Sequence, residues 1–253
     1  MRRAFFTRVL FGAALMALNA CAQLPENNHW KSGTMAALKD PYTWVPLGAA
    51  VLLAASGEDK PLSEKIVEDT PVFGSNKDSD KASDRLRDVT SLIKNASALM
   101  VEEDCDSYTH PVQRMLVQQV IVMGSDGVAG EIKDITERKR PYSDGNSFPS
   151  QHANKAFSYH AMTRENLLCS KHESNFNNGL LWASGVAAAG TAYARVEAGA
   201  HYPVDVLAGA GLGNFVVMTV NGSLKAKKQD DKIIKVSLLP LDDGFAINFS
   251  KSF

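Results

Sequence analysis

The chain has 253 residues, 45% of them hydrophobic and 22% charged, with a formal net charge of −1 and a mean hydropathy of −0.16. The length suffices for one large domain, or at most two, around a buried core, and the composition is that of an ordinary globular protein, not a polytopic membrane protein. The near-neutral charge excludes recognition of nucleic acid through bulk positive charge.

The chain begins MRRAFFTRVLFGAALMALNAC. Arg2, Arg3 and Arg8 precede a short apolar run from Val9 to Ala17. This is the layout of a secretory signal peptide, and the run is too short to span a bilayer comfortably. The segment Leu18-Asn19-Ala20-Cys21 resembles a bacterial lipoprotein cleavage box, which implies Cys21 as the acylated first residue of the mature protein. Ala22 stands where an aspartate would signal retention, so the resemblance implies a periplasm-facing lipid anchor at the outer membrane. Removal of the leader takes the net charge from −1 to −4. Of the remaining cysteines, an oxidising periplasm permits Cys105 to bond with Cys169; the alternative is two unpaired thiols.

After Cys21 a polar linker leads to the apolar run Tyr42–Ser56, which contains Pro46 and reads as a buried helix or a membrane-surface segment. The stretch from there to Asp80 reads as a loop. Leu86, Val89, Leu92, Ile93, Ala96 and Leu99 then fall at spacings of three and four, predicting a helix over Ser83–Glu103 with an apolar inner face. Further helices are predicted over Val112–Arg138, Ser150–Leu168, Asn175–Glu197 and Pro203–Val220. The first two of these carry too many polar groups for lipid, and the last two are rich in Ala and Gly, which lets backbones approach closely. The tail alternates Ile234, Val236, Leu238 and then Phe245, Ile247, Phe249 around Asp243-Gly244, a hairpin signal. The predicted fold is all-α, a compact helical bundle with a small C-terminal β-hairpin. Its parts are a leader (1–20), a linker and N-terminal helical region (21–80), a core (81–222) and a hairpin extension (223–253).

Three segments can carry chemistry. Lys133 and Arg140 are seven residues apart, on one side of a helix, and Pro141 disfavours helical geometry at Arg140; the alternative is a solvated basic helix end. In FPSQHANKAFSYH, Ser150 can cap a helix whose second residue, His152, titrates near neutrality; the alternative is an ordinary cap before a surface histidine. In ARVEAGAHYPVD, Pro203 opens a helix that places His201 at its mouth and Asp205 one turn on. There the carboxylate can accept the Nδ1 proton and leave Nε2 free; a capping pair or a metal half-site would use the same spacing.

Taken together, K-x6-RP, PSxH and R-x5-H-x3-D resemble the tripartite pattern of the type 2 phosphatidic acid phosphatase (PAP2) superfamily, which also contains bacterial acid phosphatases and vanadium haloperoxidases. The resemblance runs from Lys133 to Asp205 and into the following VLAGAGLG. It implies a helical bundle of that type, with phosphate held by Lys133, Arg140, Arg195 and the first-turn amides of Ser150 and Gln151. It also implies His201 as nucleophile, Asp205 as its orienting carboxylate and His152 as general acid. Gln151 replaces the glycine usual in PSGH, and Ala194 replaces the serine usual before the arginine.

The function so implied is a metal-independent, cofactor-free phosphatase that acts on phosphomonoesters, plausibly lipid phosphates, through a phosphohistidine. The alternatives are a vanadate-dependent haloperoxidase and a non-catalytic phosphate-binding envelope lipoprotein.

Overall fold

The computed structural model describes residues 27–69, 71–101, 110–170, 175–230, 234–241 and 244–251. The leader, Cys21 and Cys105 lie outside them. Cys169 is disulfide-bonded, with its partner also outside the described residues. A bridge between Val101 and Ser170 joins the chain on either side.

Eight helices are described: α1 (Asn27–Lys39), α2 (Pro41–Ser56), α3 (Asp59–Glu68), α4 (Asn76–Ala98), α5 (Pro111–Thr136), α6 (Gln151–Leu168), α7 (Asn175–Glu197) and α8 (Pro203–Asp230). Local chemistry sets several of the boundaries. Asp40 caps α2, its carboxylate accepting from the Tyr42 amide at 3.0 Å, and Gly57 ends that helix with φ of 77°. Ser75 caps α4, accepting from the Asp78 amide and donating to the Asp78 carboxylate at 2.6 Å. Pro111 and Pro203 each open a helix, where their missing amide hydrogen is not needed. Strands β1 (Ile234–Leu241) and β2 (Gly244–Lys251) pair antiparallel, with Leu241 opposite Gly244.

Helix α8 runs through the middle. Helices α1 and α2 lie end to end along it in the opposite direction, Gly33 meeting Thr219 and Ser223, and Leu47 meeting Gly211. Helix α6 runs parallel to α8 and very close: a Cβ on Gly209 would sit 2.4 Å from the Ser150 carbonyl, and one on Gly213 2.4 Å from that of Asn154. Only glycine permits that approach, which seats the start of α6 on the start of α8. Residue pairs Asp84–His152 and Ser97–Asn166 make α4 parallel to α6; Ser125–Asn154 with Gln118–Asn166 makes α5 antiparallel to it, and Ser184–His160 with Arg195 near His152 does the same for α7. One end of the bundle therefore gathers the N-termini of α4, α6 and α8 with the C-termini of α5 and α7. Three positive helix ends meeting there favour an anion.

The packing departs from expectation in two ways. The stretch expected to be linker and loop up to Asp80 contains α1, α3 and the first turn of α4. Its inner positions are small polar groups such as Ser63 and Ser79, both buried, which a hydropathy pattern does not mark. More consequentially, much of the apolar stripe of α4 faces outward, although Leu86 and Ile93 are half-buried. Leu92 is 68% exposed, and Val89 and Leu99 are exposed as well, while Thr90, Lys94 and Ser97 are buried. The polar groups of α5 and α6 likewise point in: Arg114, Gln118, Asn154 and Asn166 are buried, and Asn166 bonds Gln118 and Ser97. The apolar core is small, built on Val122, Met162 and Val217.

Candidate active site

At the gathered helix ends, His201 is almost fully buried, with 1% of its surface exposed. Its Nδ1 lies 3.9 Å from Asp205 Oδ2, too far for a hydrogen bond, and 3.4 Å from the hydroxyl of Ser147. That hydroxyl donates to Asp205 Oδ2 over a very short contact. With its single proton committed to the carboxylate, Ser147 can only accept from His201. The imidazole is thus held as the Nδ1–H tautomer with Nε2 free. The orienting carboxylate expected one helical turn from the histidine is present, but it acts through a serine between them.

Asp205 is itself fixed on both oxygens. Oδ2 also accepts from the Tyr202 amide at 2.8 Å, and Oδ1 accepts from Arg138 Nη1 at 2.6 Å. Arg138 reaches on to Asp59 Oδ2 at 2.5 Å and stacks over the Tyr202 ring at 4.3 Å. Asp59 in turn accepts from the Val204 amide, tying α3 to the first turn of α8. Burial raises the Asp205 carboxyl above its ordinary value, against the opposing pull of Ser147, the Tyr202 amide and Arg138.

The cations come from three elements. Lys133 is on the last turns of α5. That helix ends at Glu137, whose left-handed φ of 48° turns the chain, so Arg140 is delivered from a loop, as the following Pro141 suggested. Its Nε donates to the Asn146 carbonyl at 3.2 Å. Arg195, on the last turn of α7, is 4% exposed; it pairs with Asp80 of α4, and its buried Nε has no hydrogen-bond partner among the described residues. These groups form one electrostatic neighbourhood. Burial, then the charges of Arg195, Lys133, Arg140 and His152, hold His201 well below its usual range. Burial, then Arg140 and Arg195, push Lys133 down to about 8.

Ser150 is buried and caps α6 through the Ala153 amide, and its own amide donates to the Asp205 carbonyl at 2.9 Å. The bond preceding Pro149 is cis. Gln151 has ordinary helical geometry, so the position does not require glycine, and its side chain turns back to the Asp126 carbonyl at 3.3 Å. His152 is on the lip, its Nε2 at 3.0 Å from Asp84 Oδ1. Burial, then Arg195, lower it to about 4, with the Asp84 hydrogen bond opposing.

The structure therefore draws Lys133, Arg140, Arg195, His152, His201 and Asp205 into one site, with Ser150 and Gln151 at its edge. It adds Ser147, Arg138, Asp80 and Asp84, which the sequence did not single out. Ser147 reads as a loop serine. The two aspartates sit on α4, about fifty residues or more before Lys133, with no motif around them. Among the described residues no group of three or more His, Cys, Asp or Glu is placed to hold a metal ion.

The family model of the PAP2 superfamily matches residues 126–228, which span every residue of the three motifs. This segment is a PAP2-superfamily domain. A crystal structure of a transmembrane PAP2-type phosphatidylglycerolphosphate phosphatase from Bacillus subtilis resembles the chain with a TM-score of 0.53 and 17% sequence identity, covering 76% of this chain and 96% of that one. That likeness is one of fold. A search of curated proteins found no significant match. Helix α4, which supplies Asp80 and Asp84, lies before the matched PAP2 segment.

Proposed function

We propose that the protein is a phosphatase that hydrolyses phosphomonoesters of lipids at a membrane. The observation that carries the catalytic part is the pairing of an oriented, neutral His201 with buried Arg195, whose Nε is unpartnered among the described residues, and half-buried Lys133 and Arg140. A phosphate dianion suits such a place, because phosphoryl transfer asks chiefly for positioning and for cations matched to charge on the non-bridging oxygens.

In this reading Lys133, Arg140 and Arg195 hold the phosphate, joined by amides at the start of α6. His201 Nε2 attacks phosphorus as the ester P–O bond breaks, and the leaving oxygen takes a proton from His152. Water then attacks the phosphohistidine, His152 takes a proton from it, and inorganic phosphate leaves with His201 restored. A neutral His201 is required for the first step, and burial, then the surrounding positive charge, keeps it so. The bound dianion does the reverse for His152, raising its affinity for a proton when the acid is needed.

The membrane part rests on the outer surface. Helix α2 carries no charged residue over Pro41–Ser56 and exposes Trp44, Val51 and Leu52. Helix α7 has none before Arg195 and exposes Phe176, Trp182 and Val186. Sixteen residues of helix extend about 24 Å, most of a hydrocarbon core. Large apolar side chains exposed along uncharged helices in this way favour contact with lipid or with protein. Helix α8 is also long and apolar enough over Pro203–Lys225 to cross a membrane, but two-thirds of it is buried within the protein, as for a core helix. The lipid anchor at Cys21 and an outer-membrane address remain part of the proposal on the sequence resemblance alone.

The test is phosphate release from phosphatidic acid in phosphatidylcholine vesicles and from a soluble aryl phosphate, by the purified protein and by His201→Ala. Turnover of both by the wild type and of neither by the variant is expected. Tight phosphate binding with no turnover of either substrate would leave a binding protein in place of an enzyme.

A further inference from the structure

The acid histidine is held by a carboxylate from outside the matched PAP2 segment. Asp84 of α4 accepts from His152 Nε2 at 3.0 Å and is itself tied to Arg87 Nη1 at 2.9 Å. A carboxylate can only accept, so Nε2 carries a hydrogen in both protonation states of the ring. The proton gained and lost during turnover is therefore the one on Nδ1. Nε2 is committed to α4, and Nδ1 is the nitrogen left to meet a leaving oxygen or a water. We infer that Asp84 is a positioning residue for general acid–base catalysis, fixing His152 so that Nδ1 works as the acid and then as the base.

This rests on the phosphatase reading above. In the first step the Nδ1 proton passes to the leaving oxygen as the P–O bond breaks and the Nε2–P bond to His201 forms. In the second, water bonds to phosphorus, the P–N bond breaks and the water proton returns to Nδ1. The ring is thereby reset with no other proton carrier.

The electrostatics give Asp84 a second task. The charged and titratable groups that bear on His152 are Arg195 on α7, Arg87 and Asp84 on α4, and His201 before α8. Arg195 and Arg87 disfavour a proton on His152, neutral His201 adds no charge, and only Asp84 favours one. Asp84 stays ionised to do so: burial alone would raise it, but the hydrogen bond from His152 and the charge of Arg87 outweigh that and lower it. Asp84 itself stands in place because the segment ahead of α4 is pinned. Buried Glu197 accepts from the amides of Val72, Phe73 and Gly74 at 3.1, 2.8 and 3.1 Å and from Ser79 Oγ at 2.9 Å.

The experiment compares an alkyl phosphate, a poor leaving group, with 4-nitrophenyl phosphate, a good one, across wild type, Asp84→Asn, Asp84→Glu and His152→Ala, together with the pH profile of kcat. Asp84→Asn is expected to lose about tenfold in kcat on the alkyl ester and under about threefold on the nitrophenyl ester, since general acid catalysis matters most when the leaving oxygen is basic. The basic limb of kcat moves to lower pH, and Asp84→Glu restores most of both effects. A structural role alone would lower the two substrates equally and leave the limb in place. Equal losses, or none, in Asp84→Asn would overturn the assignment of Asp84, provided His152→Ala discriminates between the esters. If His152→Ala does not discriminate either, the acid role of His152 falls and this inference falls with it.

Discussion

The floor and the lip of the site are built differently. On the floor, His201, Ser147 and Asp205 are each about 1% exposed or less, and the carboxylate is held through Arg138 to Asp59, so helices α3 and α8 and the loop before α6 share one network. On the lip, the acidic partners face solvent: the side chains of Asp80 and Asp84 are 56% and 51% exposed while they engage Arg195 and His152. A nucleophile must be fixed in aim and tautomer before substrate arrives, which a buried network accomplishes. Arg195, which meets an incoming anion, must exchange partners, and exposed Asp80 lets go at little cost because water screens what it leaves, while Asp84 stays on His152. Rigidity lies where the bond is made, and adjustability where the substrate enters.

The largest effect expected from breaking this contrast is on the floor. His201→Ala removes the nucleophile and should lower kcat by at least about 10³-fold on any phosphomonoester. Next come Ser147→Ala and Asp205→Asn, each expected to cost about 10- to 100-fold in kcat with KM little changed, since both act on the histidine and not on the phosphate. The double variant should lose scarcely more than either single one, because serine and aspartate form one relay. Additive losses in steady-state kinetics would show two separate roles instead.

A pH profile tests the cations. Lys133 titrates at about 8 in the empty site, so its charge is present below that pH and lost above it. The value of kcat/KM should fall as pH rises through about 8. In kcat this limb should move out of the way to higher pH, because bound phosphate favours the charged amine, leaving His152 to set the basic limb of kcat. Lys133→Arg keeps its charge and should move the kcat/KM limb upward; an unmoved limb would assign it to another group.

The smallest effect concerns stability. Buried His160 bonds Ser184 Oγ at 3.2 Å and is lowered from 6.5 to about 4, first by burial and then by Arg164. Folded protein keeps this ring neutral where unfolded chain would protonate it, so the contribution is full above about pH 6.5 and is lost as pH falls toward 4. From about pH 7 to 5 that loss is on the order of 1–2 kcal/mol. His160→Asn should flatten the fall in Tm over this range, and an unchanged slope would place the titration elsewhere.

Much of the site was legible because its chemistry is local in sequence. Lys133, Arg140, His152, Arg195, His201 and Asp205 lie in three short runs whose spacing reflects helix ends, and the structure draws those ends together. Ser147 was hidden because its role depends on a fold that sets a loop hydroxyl between two groups more than fifty residues away. Asp84 was hidden because it pairs with a residue 68 positions on. The orientation of α4 was misread for a different reason. Periodicity reveals that a helix has two faces, and assigning the apolar one inward assumes water outside. Leu92 and Leu99 are instead exposed over buried Lys94 and Ser97, and the exposed apolar residues of α2 and α7 are those that motivate the membrane proposal.

The central claim is that this end of the bundle hydrolyses phosphate esters through His201. The most direct measurement is phosphate release from phosphatidic acid vesicles by wild type and His201→Ala side by side, with each protein confirmed folded by circular dichroism. The account predicts steady release by the wild type and none above background by the variant. Equal release by both, or none by a folded wild type on lipid and soluble esters alike, would contradict it.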